Sequence, residues 1–117
     1  MSRYLLMLRS DETTTPGAPP QELFEAIGKA AAEWTAAGVL RDTAGLAPAA
    51  TGTRIDLTDD TINTGPIPAG ENVTAYAIIE VTTTEDAIGR ATEFLELHKQ
   101  HWPGWNGASE IRQIYGA

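Results

Sequence analysis

There is no cysteine among the 117 residues. That absence excludes disulfides, thiolate metal sites and cysteine nucleophiles, and it fits a reducing cytoplasm. Basic residues are few: 8 Lys and Arg stand against 16 Asp and Glu, for a net charge of −8. Arg3, Arg9, Lys29, Arg41, Arg54, Arg90, Lys99 and Arg112 are scattered along the chain. Without clustered cations such a chain repels nucleic acid and anionic membrane surfaces, so neither is an expected partner. Long apolar runs are missing too. Tyr4 to Leu8 is interrupted at Arg9, too short for a signal segment or a membrane span. The 11 glycines form neither a dinucleotide fingerprint nor a phosphate loop, and no HExxH-type metal signature is present. The acidic turn of Asp56, Asp59 and Asp60 lacks the glycine and downstream glutamate of a calcium loop and reads as solvated. No cofactor and no metal are expected.

What is present suffices for one domain over residues 1–117, with a 42% hydrophobic fraction that is ordinary for a globular chain. Arg3 to Arg9 reads as a strand apolar on both faces, with Leu5 and Met7 opposed to Tyr4, Leu6 and Leu8. After a Thr- and Pro-rich loop, Pro19 or Pro20 opens a helix that runs to about Ala37 and ends at Gly38. Its apolar stripe is Leu23, Phe24, Ile27, Ala30 or Ala31, and Trp34. Val39 to Pro48 reads as irregular. Thr51 to Thr58 alternates as a half-buried strand, Asp59-Asp60 turns the chain, and Thr61 to Thr64 pairs back as a short arm. Val73 to Val81 is a further strand, with Ala75, Ala77, Ile79 and Val81 on one face and Tyr76, Ile78 and Glu80 on the other. Thr83 caps a second helix that runs to His101 or Trp102 and is stopped by Pro103-Gly104. Ser109 to Tyr115 closes as a last strand. The β-α-β-β-α-β order predicts an α+β, ferredoxin-like sandwich with helices on one sheet face. The other face, apolar and uncovered, predicts a homodimer packed sheet to sheet.

The residues in this frame also resemble a known family. Tyr4-Leu5-Leu6-Met7-Leu8 with Ser10-Asp11-Glu12 resembles the opening strand and acidic tail of YCII-related, DGPF-domain proteins. Ala37-Gly38-Val39-Leu40 and Gly45-Leu46-Ala47-Pro48 resemble their segment after the first helix. Thr64-Gly65-Pro66-Ile67 stands where the Asp-Gly-Pro-Phe signature belongs, and Ala75 to Val81 is similar to the strand that follows. Trp102-Pro103-Gly104-Trp105, then Glu110-Ile111-Arg112-Gln113, is similar to a subgroup's tail. The resemblance implies a dimeric α/β barrel, and small-molecule chemistry through a His-Asp pair in a few YCII-like members. This chain departs from that pattern: Thr64 replaces the signature aspartate, Ile67 the phenylalanine, and the N-terminal-half histidine is absent.

Chemistry-bearing residues gather near the end of the second helix, which holds both histidines and two of the three tryptophans. Ile88, Ala91, Leu95, His98 and Trp102 step by three and four, so His98 continues the apolar stripe, with His101 beside it. One reading makes His98 a general acid or base in a cleft, assisted by Glu80 or Tyr76. The other makes it a core-edge imidazole bonded to a backbone carbonyl or a carboxylate. Tyr76, Ile78, His101, Trp102, Trp105 and Arg112 are the candidate ligand-binding residues. Trp102 and Trp105 either wall a pocket for a flat ligand or cap the barrel end. Glu80 is either an acid/base partner or half of an inter-subunit salt bridge. The expectation is thus a small-molecule-binding homodimer. It is either a cofactor-independent enzyme of lyase, isomerase or cyclase type, or a non-catalytic accessory or ligand-sensing module.

Overall fold

The computed structural model describes residues 1–116, with Glu71 described by its backbone alone. In chain order the elements are β1 (Ser2–Asp11), α1 (Gln21–Ala36), β2 (Leu40–Gly45), a short 3-10 turn (Ala49–Thr51), β3 (Thr53–Thr58), β4 (Thr61–Pro66), β5 (Glu71–Val81), α2 (Thr84–His101) and β6 (Gly107–Gln113). Four strands form one antiparallel sheet in the order β2-β5-β1-β6, while β3 and β4 pair only with each other. The mixed α+β arrangement of this sheet and two helices is compatible with the ferredoxin-like fold.

The period-2 pattern of β1 sorts its side chains between two environments. Tyr4, Leu6, Leu8 and Ser10 are buried beneath the helices, and Leu5, Met7 and Arg9 are half-buried on the open side. On β5, Ile79 and Val81 are buried with Tyr4 and Leu6, whereas Tyr76, Ile78 and Glu80 point the other way, opposite Met7, Leu5 and Arg3. Trp34, Ala87 and Ala91 complete the core from the helices. An apolar gap of about 50 Å³ remains between Leu6, Ile27, Trp34 and Phe94. That is well below the roughly 300 Å³ at which small-molecule pockets begin.

Both helix starts and stops follow local chemistry. Thr83 accepts from the Asp86 amide at 3.1 Å while the Asp86 carboxylate accepts from the Thr83 amide at 3.3 Å, a reciprocal capping box. Gly38, at φ 76°, follows α1; the Val39 amide donates to the Trp34 carbonyl at 2.9 Å and the Gly38 amide to the Thr35 carbonyl at 3.0 Å, a Schellman closure.

Four sequence expectations change. Leu40 to Gly45, read as irregular, is the edge strand β2: only Leu40 is half-buried, and Arg41 and Asp42 blunt an exposed edge. Thr53 to Thr58 alternates as expected but belongs to a separate hairpin, with Ile55 and Leu57 exposed rather than half-buried. Phe24 and Ile88, placed on the helix stripes, are 54% and 49% exposed. The buried side of α2 is instead Ala87, Ala91, His98 and Trp102 with Phe94 packed against the core, one residue round from Ile88. The last strand begins two residues earlier than expected, at Gly107.

Candidate functional site

Two separate groups of side chains carry chemistry. The first is built around the end of α2. The apolar stripe carries His98 beneath the helix, where it is 3% exposed. Beyond Trp102, Gly104 at φ 87° turns the chain back, and the Trp105 amide donates to the Trp102 carbonyl at 3.1 Å. The Trp105 ring thereby comes to 4.5 Å from the imidazole, tilted by 42°, and stacks at 6.4 Å from Trp102; Phe94 flanks His98 at 5.0 Å. Gly107 makes room for this: a Cβ there would collide with the Arg9 carbonyl and the Trp105 indole. Trp105 Nε1 donates to Ser10 Oγ at 3.1 Å, and Ser10 Oγ lies 3.2 Å from Thr74 Oγ1.

His98 Nδ1 lies 3.0 Å from the Phe94 carbonyl, one turn back along its own helix. A carbonyl only accepts, so Nδ1 carries the proton and Nε2 keeps its lone pair. Burial pulls the imidazole pKa below its ordinary 6.5, and the Phe94 bond only partly opposes this. The ring is therefore neutral at pH 7. No fully buried side-chain nitrogen or oxygen among the described residues lacks a partner. Among the described residues no trio of His, Asp and Glu side chains is placed to hold a metal ion.

The second group lies on the open face of the sheet. Leu5, Met7 and Ile78 form its apolar middle. Tyr76 Oη donates to Asp42 Oδ2 at 2.8 Å, and this bond, with some burial and the carboxylate's charge, raises the phenol above its ordinary 10. Glu80 accepts from Arg41 Nε at 2.7 Å and faces Arg3 Nε at 3.6 Å. Arg9 pairs with Glu110, and Arg112 stands opposite Leu5 on β6. A shallow hollow opens at one end, lined by Arg3, Ile78, Glu80, Ile114 and Tyr115.

The sequence-named residues thus divide. His98, Trp102 and Trp105 come together under the helices, with half-exposed His101 on the same last turn. Tyr76, Ile78, Glu80 and Arg112 come together on the open face. The structure does not join His98 to Glu80 or Tyr76. Glu80 pairs with Arg3 and the His98 cluster rests by Ser10, seven residues further along β1, about 23 Å at the usual strand rise. They also lie on opposite faces of the sheet. Within its own chain Glu80 has two arginine partners.

Sequence reasoning missed Asp42 and Arg41, because their segment shows no apolar alternation, is broken by Gly45 and Pro48, and reads as irregular. The adjacent charges after Leu40 were the available signal, since edge strands carry such pairs. Ser10 and Thr74 were also missed, and nothing in the sequence links residues so far apart. Comparison with known proteins adds no assignment: no family model and no curated protein matches the chain.

Proposed function

We propose that this chain is a homodimeric, non-catalytic small-molecule-binding module of the YCII-related kind. Two open sheet faces pack together as a dimeric α/β barrel and enclose a cleft for a small aromatic or polyketide-like ligand. The observation that carries this reading is the open face itself. Leu5, Met7 and Ile78 form an apolar strip on a sheet whose helices all lie behind it, and an uncovered strip of this kind marks an interface or a binding groove. The groups around it suit recognition rather than proton transfer. The Tyr76 phenol is engaged by Asp42, and Glu80 is held between two guanidinium groups. The gap behind the sheet is too small for a ligand, which leaves the open side.

A second reading, the cofactor-independent lyase, isomerase or cyclase, draws on one observation. The Phe94 carbonyl fixes the His98 tautomer, so Nε2 presents an unprotonated lone pair, the form a general base needs. Incubation with aromatic and polyketide-like compounds, followed by mass spectrometry, separates the two. The module returns a bound compound unchanged, with affinity lowered about tenfold or more by Ile78→Glu. Turnover that disappears in His98→Ala would replace the module with the enzyme. Binding unaffected by Ile78→Glu and Tyr76→Phe would remove the open face from either account.

A further inference from the structure

Near the start of β1 the open face of the sheet is laid out in two short rows. Arg3 stands opposite Glu80, and the Ile114 amide donates to the Arg3 carbonyl at 2.9 Å, which carries the β1–β6 pairing one residue past β6. In the next row Leu5 stands between Ile78 and Arg112. Paired residues share a face, so Arg3, Ile114 and Arg112 all belong to the open side. Arg3 and Arg112 are then diagonal neighbours, about 7–8 Å apart, within reach of two long side chains.

The hollow at this end lies in these rows. It is lined by Arg3, Ile78, Glu80, Ile114 and Tyr115 and holds about 600 Å³, inside the roughly 300–1,000 Å³ of small-molecule sites. Its apolar surface comes from Ile78 and Ile114, with the fully exposed Tyr115 beside them. Arg112 flanks it, two residues before Ile114 on the same face.

The arginines decide what such a hollow takes. Arg9, Arg41 and Arg54 each bond a carboxylate through Nε, and Arg90 lies over the Trp34 ring at 5.4 Å. Arg3 and Arg112 have neither kind of partner among the described residues. Arg3 Nε stays 3.6 Å from Glu80 Oε2, beyond hydrogen-bond reach, because that oxygen accepts from Arg41 at 2.7 Å. Glu110, the carboxylate of β6, pairs with Arg9. Two guanidinium groups set side by side repel each other, and one anion between them turns that repulsion into attraction. Their planar forks fit a planar carboxylate.

We propose that this hollow binds an aromatic monocarboxylate, its rings on Ile78 and Ile114 beside Tyr115 and its carboxylate between Arg3 and Arg112. The proposal rests on the reading above that the open face binds a small ligand, and it names the class. A single charge suits the site. Glu80 also lines the hollow and the chain carries −8, so a phosphate dianion meets more repulsion than a carboxylate. An uncharged aromatic leaves both guanidinium groups unanswered.

Amide NMR spectra of the full chain, titrated with naphthalene carboxylate and with its uncharged carboxamide, test this directly. The carboxylate should shift the amides of Ile78, Ile114 and Tyr115 and bind about tenfold or more tightly than the carboxamide. Added sodium chloride should weaken the carboxylate alone. Arg3→Gln and Arg112→Gln should each bring the carboxylate toward the affinity of the carboxamide, with the carboxamide unchanged. Equal affinity for the two compounds at these amides overturns the anion site and leaves the open face as a ligand surface. No shift at these amides with either compound at about 1 mM overturns both. Carboxylate shifts centred on His98 and Trp105 place binding behind the sheet and also overturn the proposal.

Discussion

A neutral imidazole beneath a helix couples stability to pH in a direction fixed by its environment. Burial holds His98 below 6.5 in the folded chain, while an unfolded imidazole titrates near that value. Between the two values the unfolded chain binds a proton that the folded chain does not. The contribution is therefore fully present above about pH 6.5 and is lost as the pH falls through the window toward the folded value. Unfolding free energies from urea titrations should fall more steeply on acidification through this window for the wild type than for His98→Gln. The comparison cancels every other titrating group, since both proteins share them. Equal pH profiles would show that His98 is not held neutral. At the other site the direction reverses in meaning: the Asp42 bond favours the protonated phenol of Tyr76. Ultraviolet titration should find one tyrosine ionising above the usual 10, and that step should move down in Asp42→Asn.

At the scale of elements, the parts legible in the sequence are those that local chemistry determines. Gly38 follows α1 at φ 76° with open space around its Cα, so Gly38→Ala meets no collision and the cost is conformational alone. The expected loss is about 1 kcal/mol by chemical denaturation, since an alanine resists the left-handed region. Thr83→Ala, which removes half of the capping box on α2, should cost about 1 kcal/mol as well. Both positions were readable, as were β1, β5 and the burial of His98, because period and capping residues act within a few neighbours. What could not be read was what lies opposite a strand. Thr53 to Thr58 has the alternation of a half-buried strand, yet its apolar side meets no core in its own chain. The segment from Leu40 to Gly45 lacks alternation because β2 is an edge with almost nothing beneath it. The separation of Glu80 from His98 likewise depends on which strand end and face each occupies. Such tertiary placement outweighs local propensity.

The whole molecule is one layer of helices on one layer of sheet, 19 Å through its thinnest direction, and this shape opposes its charge. A chain of net charge −8 that associates with itself works against mutual repulsion, which salt screens over about 8 Å at physiological ionic strength. The contacts proposed to hold two copies together are apolar, from Leu5, Met7 and Ile78 on the open face of the sheet, and salt does not weaken them. The ion pairs of the open face, Glu80 with Arg41 and Arg9 with Glu110, already lie within one chain. They do not need to form across the interface. Raising ionic strength should therefore strengthen association, with the dimer dissociation constant falling several-fold between about 20 mM and about 150 mM sodium chloride in sedimentation equilibrium. The opposite trend, dissociation as salt rises, would mean that the arginines of the open face find carboxylates on the other copy. The intrachain pairs would then be exchanged on assembly. Ile78→Glu distinguishes an apolar interface from such a charged one, because it adds a buried carboxylate to the first and only one more charge to the second. For the apolar interface it should abolish the dimer at micromolar concentration in either salt.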